Sequence, residues 1–291
     1  MEFIRKNFKW YFLIWLVIIT VIVWYAVFWI EAYSGKLLFI AFDVGQGDGL
    51  FIQTDNGNQV LIDGGPSTRI LDKLGKVMPF WDRSIDLLIL THPHADHLDG
   101  LLEVLKRYNV DMVLETKVNH TIPEYAEWHN LLKKKDVKVV TAKTGQRVRL
   151  SGSVYLDILT PFKSFEGQSP KNIHDSMIVS KLVYGSTTIL LMGDAEKSIE
   201  YYLLYEFPEF LNSDLLKVGH HGSKTSTSEE FLKAVSPELM IISVGKKNRY
   251  GHPHQGVIET INKFDVNILR TDIEGDIRLL SDGKIFRRSK F

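Results

Sequence analysis

The sequence predicts an α+β fold, a two-sheet sandwich with helices on its outer faces, preceded by one membrane-spanning helix. Three observations predict it. After residue 36, each half of the chain opens with strand-like runs and goes on to helices, which implies two sheets sharing a core. Several apolar runs end in histidine or aspartate, as a cleft built on strand tips requires. The first 36 residues differ in kind from all that follows.

With 291 residues, 45% of them hydrophobic, the chain is long enough for one large domain with a substantial core. Basic and acidic residues number 35 each, so no global field attracts nucleic acid or anionic lipid, and any polyanion must be bound locally. There is no cysteine. Disulfides and zinc–thiolate sites are excluded, and histidine, carboxylates and other oxygen donors are the available metal ligands.

Between residues 8 and 30 the only charge is Lys9, and about 20 apolar residues in a row match a hydrocarbon core. Four of the six tryptophans lie in this stretch, with Trp10 and Tyr11 toward one end and Trp24, Tyr25 and Trp29 toward the other, as interfacial belts require. A cleaved signal peptide fits less well, because the run is too long and Ala32-Tyr33-Ser34-Gly35 is a poor cleavage site. Arg5, Lys6 and Lys9 precede the span and Glu31 follows it. The positive-inside bias therefore places the N-terminus in the cytoplasm, residues 1–36 as the anchor, and residues 37–291 on the extracytoplasmic side.

Residues 37–42 form the first predicted strand, followed by Asp43-Val44-Gly45-Gln46-Gly47-Asp48-Gly49 and an alternating strand at 50–54. Asp55-Asn56-Gly57-Asn58 signals a hairpin into a third strand, which delivers Asp63 to Gly64-Gly65. No helix start follows the glycines, so the turn is not a phosphate-binding loop. A helix at 70–76, a buried strand at 85–90 and a helix at 96–108 follow, the last beginning just beyond Thr91-His92-Pro93-His94-Ala95-Asp96-His97. Strands at 111–114 and 137–141 flank a helix at 125–135. His120 and His129 have no partner nearby in sequence and are expected at the surface, with Lys133, Lys134 and Lys135 a solvated helix end.

The second half predicts strands at 148–150, 154–160, 177–184 and 188–192, the last ending in Gly193-Asp194. A helix at 199–207 leads to a short strand, 215–218, that ends in Gly219-His220-His221-Gly222-Ser223. Then come a helix at 231–235, a strand at 239–244, the loop Asn248-Arg249-Tyr250-Gly251-His252-Pro253-His254, a helix at 258–264, and strands at 267–270, 275–280 and 284–287.

Three imidazoles and a carboxylate within six positions are costly to crowd together unless something unites them, and a divalent cation is the usual agent. His92-x-His94-x-Asp96-His97, with an aspartate at an earlier strand end and Asp194 and a histidine after later ones, resembles the metallo-β-lactamase fold superfamily. More narrowly, the Asp43–Asp48 turn, Asp63-Gly64-Gly65, the Thr91–His97 stretch, Gly193-Asp194, His220-His221-Gly222-Ser223 and Tyr250-Gly251-His252-Pro253 are similar to the hydrolase domain of the ComEC/Rec2 DNA-uptake (competence) proteins. The resemblance covers residues 37–288. Those proteins carry a large multi-helix membrane region, whereas this chain has one anchor, so a channel role is not carried over.

The resemblance implies an αββα sandwich holding two divalent metal ions, zinc first and manganese as the alternative. His92 and His94 would bind one ion, Asp96 and His97 the other, and Asp194 would bridge both. His220 or His221 would add a ligand, His221 being favoured, and His174 is a further candidate. Asp63 would hold the ligand histidines in place. Two such ions activate water and stabilise charge on a phosphoryl or acyl oxygen, with Asp96 and His252 as catalytic residues, His252 toward the leaving group. A bridging aspartate instead of a thiolate favours phosphodiesterases. Lys246, Lys247, Arg249 and Tyr250 form a basic aromatic loop suited to a phosphate backbone, with Ser223 as a further substrate contact.

The leading expectation is a membrane-anchored, metal-dependent phosphodiesterase or nuclease acting on extracellular DNA, with uptake machinery as a partner. A cell-envelope phosphodiester such as a phosphorylcholine ester is the alternative substrate. A non-catalytic metal-binding surface protein is the alternative of another class, disfavoured because the candidate ligands occur together.

Overall fold

In the computed structural model, which describes residues 2–33 and 35–289, the chain opens with a continuous helix, α1 (Glu2–Tyr33). Its stretch Asn7–Tyr25 is long and apolar enough to cross a membrane. The described side chains between residues 8 and 27 are all exposed, Trp10, Trp15 and Trp24 among them. An apolar stretch whose described side chains have no protein packed on them suits a lipid surrounding, where its backbone bonds are satisfied internally. The side chains of Arg5, Lys6, Trp29 and Glu31, and Ser34 as a whole, lie outside what is described.

The first half then runs β1 (Leu37–Ala41), β2 (Leu50–Gln53), β3 (Gln59–Ile62), α2 (Arg69–Val77), β4 (Ser84–Ile89), α3 (Ala95–Arg107), β5 (Asn109–Glu115), α4 (Pro123–Lys134) and β6 (Lys138–Thr141). The second half runs β7 (Arg147–Arg149), β8 (Val154–Ile158), β9 (Ser180–Tyr184), β10 (Thr187–Leu191), α5 (Lys197–Glu206), β11 (Leu215–Lys217), α6 (Glu229–Val235), β12 (Leu239–Ile242), α7 (Gln255–Asn262), β13 (Asn267–Arg270), α8 (Thr271–Glu274), β14 (Ile277–Ser281) and β15 (Phe286–Arg288). One sheet has the order β15-β14-β1-β2-β3-β4-β5-β6 and the other β13-β12-β11-β10-β9-β8-β7.

Strand alternation sorts the core into three layers. Leu37, Phe39 and Ala41 point between the sheets, where they meet Leu156, Ile189 and Ile241. Leu38 and Ile40 point outward beneath α2, α3 and α4, where Trp128 is fully buried. The other sheet is covered by α5, α6 and α7 through Leu203, Phe231 and Ile261. The closing hairpin departs from a strict division into halves, because β14 pairs antiparallel with β1, joining the first sheet from the far end of the chain. Strand β9 also begins later than the pattern predicts. The Thr160 hydroxyl accepts from Val179 N at 2.8 Å and donates to Met177 O at 2.6 Å, so a side chain takes the place of ladder bonds there.

Strands β3, β4 and β5 are parallel, as are β10, β11 and β12. Parallel neighbours deliver their C-terminal tips to one edge, where open α/β sheets place their sites. At the opposite end of β1, Gly35 is tied down: its N–H donates to Asp55 O at 3.1 Å and its carbonyl accepts from Tyr184 Oη at 2.9 Å.

One buried carboxylate sits at the tip of β5. Glu115 Oε2 accepts from Trp128 Nε1 at 3.1 Å and Tyr125 Oη at 3.2 Å, yet burial outweighs these bonds and pushes its carboxyl up to about 7. The native state then keeps a proton that the unfolded chain has already lost, so stability falls as pH rises from the ordinary carboxylate range toward 7. Glu115→Gln removes that loss. The variant is expected to match the parent near pH 4 and to exceed it at pH 8 by about 3 kcal/mol, read from denaturant midpoints at the two pH values.

Candidate metal centre

The loop after β4 and the first turn of α3 carry the histidine cluster, and the chain is shaped to bring other strand tips against it. Gly47 has φ +134° and lies so close to α3 that a Cβ there would meet the Asp96 carbonyl oxygen at 2.1 Å. A Cβ at Gly100 would meet the Gly64 carbonyl oxygen at 1.9 Å. Only glycine lets these backbones approach, and that approach seats the Asp63 turn and the Gly45–Gly49 turn on the helix that bears Asp96 and His97.

Asp63, at φ +57°, is fully buried behind the cluster. Its carboxylate accepts from Thr91 N (2.9 Å) and Thr91 Oγ1 (2.6 Å) and lies 2.7 Å from His97 Nδ1. That contact fixes the imidazole and turns His97 Nε2 toward Asp194 at 3.2 Å. Asp63→Asn is expected to weaken metal affinity by roughly 10- to 100-fold, measured by competition with a chelating dye.

The ligand atoms fall into groups. Those of His92, His94 and His174 lie within 4.8 Å of one another, and so do those of Asp96, His97, Asp194 and His221. Asp194 faces both groups. Its Oδ2 is 3.2 Å from His97 Nε2 and 4.0 Å from His92 Nε2, while Oδ1 is 3.3 Å from His221 Nε2. His221 Nε2 is also 3.6 Å from Asp96 Oδ2, and its Nδ1 donates to Ser243 O at 2.9 Å. His220 and His221 take φ of +46° and +54° in succession. Two non-glycine residues in the left-handed region are strained, and here the strain sends neighbouring imidazoles to different groups. His220 joins His174 and Glu196, with Glu196 Oε1 3.6 Å from His220 Nδ1 and 3.6 Å from His174 Nδ1.

The electrostatics divide along the same line. Burial, then the positive neighbour His97, drives His92 well below the ordinary imidazole value, and burial with His174 takes His94 down to about 4. These rings are neutral and ready to ligate. Burial opposes charge on His97 and His221 too, but the surrounding carboxylates together outweigh it and raise both, Asp194 with Asp63 on His97 and Asp194 with Asp48 and Asp96 on His221. Asp194 is itself held well below the carboxylate range by His221 and His97 against the effect of burial. His97 Nε2, His221 Nε2, His174 Nε2 and Asp194 Oδ1 are buried atoms without a hydrogen-bond partner. Orphaned imidazole nitrogens converging on an orphaned carboxylate oxygen are what a divalent cation satisfies, so the residues present fit metal.

The other predicted site residues surround this centre unevenly. The His252 ring lies 5.7 Å from His220 and 6.4 Å from His221, and Tyr250 stacks on it at 5.8 Å. Arg249 lies over the Tyr250 ring at 5.2 Å. Lys246 and Lys247 line a groove of about 400 Å³ together with Arg69, which the sequence reading did not single out. Ser223 is buried, and its hydroxyl is 3.1 Å from that of Thr225.

Three features escaped the sequence reading. His120 is half-buried, not a surface residue, with its ring 6.3 Å from that of His94, because the loop after β5 folds back over the cluster. His129 is exposed, as expected. Glu196 stands two positions after Asp194, a spacing that could have flagged it. Lys217, fully buried in β11, pairs with buried Asp48 and donates to Gly193 O at 3.0 Å. A lysine inside the apolar run 215–218 was the available signal.

Comparison with known proteins shows the family of the chain. Residues 42–246 match the family model described as the metallo-beta-lactamase superfamily. The chain is 32% identical over 253 residues to ComE operon protein 3 of Bacillus subtilis (strain 168), covering 81% of this chain and 32% of that protein. It is 32% identical over 243 residues to Recombination protein 2 of Haemophilus influenzae, covering 81% and 28% respectively. The chain thus spans about a third of the length of these relatives. The structure of Igni18, a metallo hydrolase from Ignicoccus hospitalis, superposes with a TM-score of 0.55 at 14% identity, covering 84% of this chain and 98% of that one, a likeness of fold.

Proposed function

From a chain that belongs to the metallo-β-lactamase superfamily, we propose a metal-dependent phosphodiesterase acting on DNA, anchored by α1 with its hydrolase domain on the extracytoplasmic side and working alongside DNA-uptake machinery. The observation that carries the reading is Asp194, a carboxylate facing both histidine groups in a chain without cysteine. In this reading His92, His94 and His174 would hold one divalent ion and Asp96, His97 and His221 the other, with Asp194 available to both groups. Zinc is the first candidate and manganese the second, since imidazole and carboxylate ligands suit both. When bound, the ions supply Lewis acidity to a phosphoryl oxygen and make water a nucleophile near neutral pH.

The protein's own groups complete the site. Arg69, Lys246 and Lys247 line a groove fit for a phosphate backbone, which gives a neutral chain a local polyanion track. Burial, then His221, lowers the His252 imidazole below its ordinary value. At neutral pH it is uncharged and can hydrogen-bond a leaving oxygen through N–H. The names of two relatives, Recombination protein 2 of Haemophilus influenzae and Competence protein ComA of Neisseria gonorrhoeae, support DNA as substrate.

The test uses the full chain in detergent, loaded with Zn²⁺ or Mn²⁺, on single-stranded DNA and on bis-p-nitrophenyl phosphate. Cleavage of both is expected. Cleavage of the small diester alone would overturn the DNA assignment, and cleavage of neither would overturn the enzyme reading.

A further inference from the structure

Beside the candidate metal centre, the loop after β5, one face of α4 along its length and the turn into β6 line a cavity of about 690 Å³, a volume in the range of small-molecule sites. His120 lines it and also faces His94, so the cavity lies one side chain away from the metal ligands. Two more rings line it, Tyr125 and His129, edge to face at 4.5 Å, with the aliphatic side chains of Leu132 and Val139.

Its polar anchor is Glu115, 1% exposed. Oε2 is satisfied by Tyr125 and Trp128, whereas Oε1 is buried without a hydrogen-bond partner, 3.7 Å from His129 Nδ1. A buried carboxylate oxygen left unpaired is costly and calls for a donor. A cation is a poor occupant, because among the described residues no group of three His or carboxylate donors gathers here. A flat ring bearing an N–H donor fits better: aromatic and aliphatic walls suit a base face, and carboxylates accept from the cytosine amino group.

We propose that this cavity receives the nucleobase flanking the phosphodiester at the metal centre, and that Glu115 accepts a hydrogen bond from its exocyclic amino group, favouring cytosine over thymine. The inference rests on the DNA reading above. Cytosine offers an N–H₂ where thymine offers a carbonyl, and two lone pairs facing each other repel. The other charged groups lining the cavity are Lys117 and Glu166, paired with each other at 3.5 Å, and Lys133 and Asp136.

The experiment is equilibrium binding of labelled, phosphorothioate-linked dC and dT hexamers to the Zn²⁺-loaded full chain in detergent, followed by fluorescence anisotropy at pH 8, where Glu115 is mainly ionised. The dC hexamer is expected to bind about 10-fold more tightly, the size of one charge-assisted hydrogen bond. In Glu115→Gln the amide oxygen can keep the Tyr125 and Trp128 bonds while its N–H₂ takes the place of Oε1. That variant is expected to reverse the preference toward dT, an outcome that misfolding would not produce. Equal binding of the two hexamers by the parent, or a preference left unchanged by Glu115→Gln, overturns the proposal. Bis-p-nitrophenyl phosphate carries no base, so its hydrolysis reports the metal-centre reading separately: hydrolysis with no base preference sinks this inference alone, and base preference without hydrolysis sinks the enzyme reading alone.

Discussion

Asp194→Ala is expected to lower phosphodiesterase activity by roughly 10³-fold or more and to reduce bound metal, measured by elemental analysis of the purified protein. The carboxylate contacts His97 and His221 and approaches His92, so its loss removes a ligand position from both groups at once. The fold is expected to survive. Without metal, burial opposes charge on His97 and His221, and the carboxylates around them, Asp194 first with Asp63 on His97 and Asp48 and Asp96 on His221, raise both above the ordinary imidazole value. Losing Asp194 lowers both, and an imidazole that sheds its proton remains as a neutral buried ring. Full activity in a folded Asp194→Ala protein would mean that the metal centre is assigned to the wrong residues.

Asp48→Ala is expected to act on the fold instead. Asp48 and Lys217 form an ion pair with both side chains about 1% exposed or less, and burial, which alone would raise the Asp48 carboxyl, is outweighed by Lys217 together with His221 and His97, so that it lies below its ordinary value. Removing one partner of such a pair leaves a buried charge uncompensated, at a cost of about 3–5 kcal/mol. Because Lys217 also holds the Gly193 carbonyl, the turn that presents Asp194 should loosen with it. Urea midpoints of Asp48→Ala and of the double variant Asp48→Ala/Lys217→Met settle the cause. The double variant is expected to recover most of the loss, since replacing both partners by apolar groups is often neutral; equal destabilisation of the two would rule out the stranded charge.

The parts of the site legible in the sequence are those where a polar residue interrupts an apolar run. His92, Asp63, Asp194 and His221 each stand just past a buried strand, and parallel strands then gather them at one edge without further instruction. Asp48 was legible as part of a glycine-rich turn but not as the partner of Lys217, because the two are 169 positions apart and only the packing of one sheet against the other joins them. His120 was missed for a similar reason: nothing near it in sequence needs an imidazole, and its neighbour His94 comes from another strand tip. The membership of β14 and β15 was hidden too, since their pattern says that they are strands and not which sheet has an open edge beside β1. His174 was a candidate through the family resemblance alone and Glu196 was missed, since both depend on the turn Ile173–Ser176 lying at the strand ends, which local periodicity does not encode.

The tie at Gly35 has a consequence for access. The chain enters the sandwich at the N-terminal end of β1, whereas the Asp43–Asp48 turn, Asp63 and the histidines all lie beyond the C-terminal ends of β1, β3, β4 and β11. Under the proposed anchoring by α1, the tether would join the sandwich at that entry point and the reactive edge would lie on the side remote from it. Such an arrangement suits a long polymer arriving from solution, which can thread the groove without contending with lipid headgroups, and it suits poorly a substrate embedded in the bilayer itself.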